Sequence, residues 1–328
     1  MQKFVISYLE QEYGKTNMWI IAYKKIILSI ISILSLGAVF SLVFFGLTPG
    51  IDFTGGTLLH VAYSDERPLA PQIEALVESK VEGGVSIRET GENGYIIRTK
   101  ELTPAEQFAV LELLKGNAVG DVTLERATTI GPTIGAELAK KSLYALLLVV
   151  FATLLYVAYA FRGVTKEADS KIDSGPSSWW YGLIVLITLL HDVLMPAGVF
   201  ALLGHFAGVE IDTLFVTALL VILGYSINDT IIIFDRVREN VLAMKEKGKQ
   251  KLFTDIVGES LSQTYVRSIN TSLTTLLVLC AIFIFAGEST KLFSLALIIG
   301  VFAGTYSSIL FSAPLLAFIH ERQTKKRT

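Results

Sequence analysis

Six stretches of this 328-residue chain are apolar for about 20 residues each with almost no charge, the length a helix needs to cross a bilayer. In lipid the backbone N–H and C=O groups of such a stretch can bond only within the segment, so each must be a helix. The runs fall at residues 26–47, 142–161, 179–203, 213–234, 265–286 and 292–319. Charged residues make up 18% of the chain, against about 25% in soluble domains, and they gather between the runs. The first run is too long for a signal-peptide core and lacks a small-residue cleavage site, so it is read as a retained span. Ahead of it, segment 1–25 spaces Phe4, Tyr8 and Leu9 for a weakly amphipathic interfacial helix.

Segment 48–141 carries most of the turn signals. After GIDFTGG at 50–56, residues 57–63 alternate as a strand, and 70–80 form an amphipathic helix with Pro71 suited to its first turn. Strands over 85–88 and 95–98 join through Gly91, Glu92, Asn93 and Gly94, a hairpin signal. Thr103-Pro104-Ala105-Glu106 is a capping box whose helix runs to Leu114, and 122–126 form a last strand. The order β-α-β-β-α-β is the ferredoxin-like split motif. TIGPTIG at 129–135 then leads back toward the membrane. The expected fold is an α-helical polytopic membrane protein with six transmembrane helices and a ferredoxin-like α+β domain between helices 1 and 2.

Charge sidedness orients the spans. Lys15, Lys24 and Lys25, the 162–178 loop with Arg162, Lys166 and Lys171, the basic loop 235–264 and the tail 320–328 all fall on one face. On the other face, connection 204–212 has no Lys or Arg, and 287–291 has only Lys291. The positive-inside rule therefore places both termini in the cytoplasm and the α+β domain outside. The Lys-rich run 245–251 suits anionic headgroups of membrane lipids, or is a plain positive-inside loop.

Several chemistries are excluded. Cys280 is alone, so there is neither a disulfide framework nor a thiolate metal cluster. His60, His191, His205 and His320 show no ligand spacing. No GxxxxGK[ST] loop is present. No cofactor, metal, nucleic-acid partner or enzymatic activity is expected.

What remains is polarity inside the spans. The fourth span carries an island of Gly224, Tyr225, Ser226, Asn228, Asp229 and Thr230. An Asp at the centre of a membrane helix costs about 2.5–3.5 kcal/mol on insertion scales and marks an ion or substrate path by default. Helical spacing groups Tyr225 with Asp229 and Gly224 with Asn228, giving a polar stripe opposite a wall of Leu, Val and Ile. Asp229 either serves a transport step or makes a helix–helix hydrogen bond. Arg267, one turn inside the fifth span, either snorkels to the interface or lies across from Asp229. In the second case motion has a consequence, because burial favours the protonated carboxyl and a nearby guanidinium favours the ionised one. Separating the pair would load a proton and bringing it together would release one. The gradient supplies about 2.3 kcal/mol per charge per 100 mV, and about 1.4 kcal/mol per pH unit. His191 and Asp192, near mid-depth of the third span, form a second relay pair or bond a neighbour's backbone. Tyr225 gates the Asp229 site or packs at an interface. Gly300, Ala303, Gly304, Ser307 and Ser308 recur at the spacing of close helix packing.

GIDFTGG (with Gly50, Asp52, Gly55 and Gly56), HDV at 191–193, GYSINDTIIIFDRVREN at 224–240, RSINTSLTT at 267–275 and GTYSSI at 304–309 together resemble the SecF family. The likeness runs in order through all six spans and the outer domain. It implies an RND-superfamily half that pairs with SecD and associates with the SecYEG channel, with YajC as a further partner. It implies use of the proton gradient (sodium in some members) to promote preprotein translocation across the bacterial plasma (inner) membrane, with Asp229 and Arg267 in the ion pathway and no cofactor beyond H+ or Na+. The 162–178 loop is longer than the tight turn this family leads one to expect, and a neutral insertion is cheap. Two rivals stand beside this reading: half of an RND-type small-molecule or lipid exporter, and a scaffold whose polar spans only fix packing. Drug exporters need large paired porter domains, and the outer segment here is short.

Overall fold

The computed structural model describes residues 19–81, 83–118, 120–161, 175–247 and 251–325. The expected interfacial helix around Phe4, Tyr8 and Leu9, most of the 162–178 loop, the middle of the Lys-rich run and the last residues of the tail lie outside the described residues.

Helix α1 spans Lys24–Phe44, ending three residues before the expected limit of 47. Past Gly46 (φ +69°) the chain turns and extends, and Gly50 N–H bonds Ile211 O at 2.8 Å. A four-residue helix that the sequence did not announce follows, α2 (Ile51–Thr54). The outer domain then unfolds in order as β1 (Gly56–Tyr63), α3 (Ala70–Glu78), β2 (Ser86–Thr90), β3 (Gly94–Thr99), α4 (Pro104–Gly116) and β4 (Val122–Ile130).

Local chemistry explains these limits. Pro71 sits in the first turn of α3. The α4 capping box closes as the sequence predicts: Thr103 N–H bonds Glu106 Oε2 at 2.7 Å, and Glu106 N–H reaches Thr103 Oγ1 at 3.4 Å. Gly91 takes φ +57° in the β2–β3 turn, a conformation costly for other residues. The sheet is antiparallel in the order β2-β3-β1-β4, the ferredoxin-like arrangement. Leu59, Ile97 and Ala127 meet in register, and Leu59, Val61 and Ile97 pack with Ile73, Val77, Val110 and Leu114 beneath α3 and α4. β4 runs four residues beyond the expected 126, because Thr128, Thr129 and Ile130 are good strand formers that keep pairing with β1.

The remaining spans are α5 (Pro132–Ala160), α6 (Ser178–Ala207), α7 (Thr213–Glu246), α8 (Phe253–Phe285) and α9 (Glu288–Ser307), the last continuing through a π-helical turn (Ser308–Ser312) into α10 (Ala313–Lys325). With α1, six helical segments among the described residues are long and apolar enough to cross a membrane. Helices extend beyond two of the apolar runs read as spans. α5 begins ten residues before 142, because Pro132 occupies its first turn and good helix formers follow. The basic loop expected at 235–264 is largely helix, because hydropathy reports where lipid ends, not where a helix must. Past the apolar run α7 is held by buried Val237 and Val241 and by the Arg236–Glu239 ion pair at 2.7 Å, and α8 begins at Phe253.

α7 is the hub, packed against α6, α8 and α9. In one half of the bundle Phe161 and Tyr181 stack with centroids 5.4 Å apart, and Phe234 meets both rings edge-on. In the other Phe200 lies on Phe215 at 4.5 Å, beside Ala218, Ile222 and Leu297. Glycines bring α9 onto α7: a Cβ on Gly304 would lie 2.9 Å from Ser226 Cβ, and one on Gly300 2.1 Å from Ile222 Cδ1.

Candidate functional site

The polar island of α7 does not form one stripe. Its residues divide among three directions, because consecutive positions on a helix are about 100° apart.

Tyr225 and Asp229 turn toward α8. Asp229 is 3% exposed, and its Oδ2 is buried without a hydrogen-bond partner. Ser268 and Ser272, one turn apart on the buried face of α8, are the side chains that approach the carboxyl, and Arg267 lies within electrostatic range. The Ser268 hydroxyl is likewise buried and unpaired. Tyr225 OH donates to Ser272 Oγ at 3.3 Å, which puts the phenol at the edge of the same site. Arg267 is exposed and closes no ion pair with Asp229. Helical phase explains this: with Ser268 buried, its predecessor points about 100° away.

Ser226 and Thr230 turn toward α6 and the sixth span. Ser226 Oγ donates to Asp192 Oδ2, and Asp192 Oδ1 meets His191 Nδ1 at 3.0 Å. His191 Nε2 lies 3.1 Å from Tyr306 OH on α9. A neutral imidazole donating to Asp192 through Nδ1 accepts the phenolic proton at Nε2, so all four groups are satisfied at once. Asp192 is fully buried and His191 is 2% exposed. Thr230 Oγ1 and Ser308 Oγ, 3.0 Å apart, add a link to the π-helical turn. His191 and Asp192 therefore bond each other and side chains of two further helices rather than a backbone.

Gly224 and Asn228 are exposed on the third face. On α8, Arg267, Asn270 and Thr271 are exposed too, within a segment long enough to span lipid.

The GIDFTGG residues lie elsewhere, at the outer end of α7. Asp52 Oδ2 accepts from Thr213 N–H at 2.9 Å and Thr213 Oγ1 at 2.6 Å, while Asp212 caps Phe215 N–H at 2.9 Å. Burial, and after it the like charge of Asp52, holds Asp212 above the usual carboxylate range against its bond to Phe215. Gly50, Gly55 and Gly56 permit the close contacts around α2.

Sequence reasoning missed the pairs Ser226–Asp192 and His191–Tyr306, and the approach of Ser268 and Ser272 to Asp229. Each of these residues was visible as a polar side chain in an apolar run, and the four-residue spacing of Ser268 and Ser272 was the available signal. Their pairing needs the bundle.

Fold and site define a class: a six-span membrane protein with two carboxyls buried inside its bundle and a ferredoxin-like domain outside. The sequence profile for "Protein export membrane protein SecD/SecF, C-terminal" matches residues 110–168 and 177–322, and that for the "SecD/SecF GG Motif" matches 40–65. Protein translocase subunit SecF of Thermobaculum terrenum is 40% identical over 285 residues, covering 84% of this chain and 85% of that protein. The Synechocystis SecF is 35% identical over 318 residues, covering 94% and 93%. The crystal structure of SecDF, a translocon-associated membrane protein from Thermus thermophilus, superposes with a TM-score of 0.75 at 28% identity over 91% of this chain. This chain spans 38% of that longer one. The chain belongs to the SecD/SecF family of protein export membrane proteins. Within it the chain is SecF-like, as the relatives named here are.

Proposed function

We propose that this protein is an ion-coupled subunit of the Sec protein translocase, taking up and releasing a proton or sodium ion at Asp229 to promote preprotein translocation. The carrying observation is the buried Asp229 carboxyl, with an unpartnered oxygen, an unpartnered hydroxyl beside it and a guanidinium in electrostatic range. A carboxyl serving only to hold two helices together would satisfy both oxygens, whereas Asp229 Oδ2 closes no bond although Ser268 and Ser272 approach the group. Arg267, exposed within a span, supplies a movable countercharge: its approach favours the ionised carboxyl and its withdrawal the loaded one. Asn228, Arg267, Asn270 and Thr271, polar side chains exposed within spans, suit a protein neighbour rather than lipid. SecD, the other half in family members where both are joined, is the neighbour we assign, with the SecYEG channel and YajC as further partners. The spans lie in the bacterial plasma membrane with both termini cytoplasmic, as the distribution of Lys and Arg supports. The work is transport, not catalysis, and needs no cofactor beyond the coupling ion.

The test is Asp229→Asn beside Arg267→Met in membranes retaining the partner subunits. Both variants should insert and co-purify with SecD while losing gradient-dependent stimulation of export. Full stimulation in Asp229→Asn membranes at low temperature refutes coupling and leaves the scaffold reading. Intact export combined with loss of resistance to a lipophilic compound favours the exporter reading.

A further inference from the structure

The GIDFTGG segment has no part in the ion site, yet it is a closely packed junction between outer domain and spans. Two strands of contact leave α2. On one side Asp52 holds the first residue of α7 through both N–H and hydroxyl of Thr213, at 2.9 and 2.6 Å. The backbone reinforces this, with Gly50 N–H on Ile211 O at 2.8 Å and Ile211 N–H on Thr48 O at 2.9 Å. On the other side the chain enters β1 directly, and Arg98 at the end of β3 closes the junction. Its guanidinium donates to Thr54 Oγ1 at 2.7 Å, Glu210 Oε1 at 2.6 Å and Pro49 O at 3.3 Å. Arg98 thus ties outer sheet, α2 and the loop before α7 in one group.

The junction also has no slack. A Cβ on Gly55 would lie 2.7 Å from Pro132 Cα, one on Gly56 2.5 Å from Thr99 O, and one on Gly135 2.8 Å from Gly55 N. α2 is therefore wedged between the start of α5, the sheet and the start of α7. Asp229 lies about 24 Å along the same α7, a continuous helix that carries displacement from one end to the other.

We propose that Asp52 and Arg98 are positioning residues that transmit movement of α7, set by the ion at Asp229, to the outer domain. The inference rests on the coupling role proposed above for Asp229. α7 shifts when its carboxyl changes partners; Asp52 carries that shift into α2 and β1, and Arg98 keeps β3 in step. Severing the junction leaves the ion site intact and the outer domain indifferent to it.

Spin labels test this in the full complex, on a Cys280→Ser background with Phe108→Cys in α4 and Phe285→Cys at the end of α8, both exposed positions. With the junction intact, Asp229→Asn should shift the distance distribution between the labels. With Asp52→Ala that shift should vanish, and with Asp52→Glu, which keeps an acceptor, it should return at least in part. Should Asp52→Ala fail to accumulate, Arg98→Gln takes its place with the same expected loss. A shift that persists in either severed variant overturns the transmission role alone. If Asp229→Asn produces no shift with the junction intact, the ion-site reading fails and this inference goes with it.

Discussion

Ser226→Ala is the substitution whose effect the structure fixes most tightly. Ser226 is 1% exposed and gives its hydroxyl proton to Asp192 Oδ2, which has no route to water. The alanine fits the space, since it is the serine without its hydroxyl and keeps the same Cβ. The change therefore removes one donor and little else. Polar contacts between membrane helices average about 0.6 kcal/mol in double-mutant cycles, whereas stranding a buried acceptor costs about 1–3 kcal/mol. The second figure applies here, because Asp192 is fully buried and no solvent can replace the serine. The substitution should destabilise by about 1–3 kcal/mol, and in an Asp192→Leu background, where no acceptor remains, it should be close to neutral. The coupling between the two sites should be about 1–3 kcal/mol, inside the range for contacting residues. Reversible unfolding in mixed micelles, titrated with SDS, measures all four corners of the cycle. Equal costs in both backgrounds refute the bond as the source of the effect.

Gly56→Ala places a side chain at φ +126° and 2.5 Å from Thr99 O, so it should cost at least about 1–3 kcal/mol and loosen β1 from β3, measured by hydrogen exchange of their amides. Gly300→Ala drives a methyl into Ile222, at a cost of about 1–3 kcal/mol, and that cost should be smaller in an Ile222→Val background, which lacks the Cδ1 the methyl meets first, an outcome read from thermal midpoints. Bonds from the Thr103 backbone and hydroxyl hold the Glu106 carboxyl below its ordinary 4.5. Its contribution to α4 is therefore complete above that value and lost as pH falls through the lowered one. Protection of first-turn amides, corrected for intrinsic exchange, should drop over that acidic window and stay flat in Glu106→Gln.

The spans and the outer motif were legible because each depends on local signals: apolar length, Pro71, the Thr103–Glu106 box and Gly91. The polar centre was legible as residues but not as bonds. Asp192 and Ser226 belong to different helices, and the side on which they meet is set by Gly304 letting α9 close in. Arg267 shows the limit most clearly. Its depth in the span put it opposite Asp229, but one residue of phase gives the buried place to Ser268. The junction at α2 left still less trace, since Arg98 looks like any charged strand end until Glu210 and Thr54 arrive beside it.

The π-helical turn at Ser308–Ser312 acts as a phase-setting device for the sixth span. Upstream, Gly300, Gly304 and Ser308 address α7; downstream, Ala313, Leu316 and Ala317 are all fully buried in the opposite half of the bundle. One residue of helix is about 100° of rotation, and the wide turn absorbs a residue that a regular helix would spend on turning one of those faces outward. The two halves of the span are therefore indexed separately. A single-residue deletion inside the turn should swing the C-terminal half, α10, out of its seat while leaving the Tyr306 and Ser308 contacts in place. The same deletion in the exposed last turn of α10 should pass almost unnoticed.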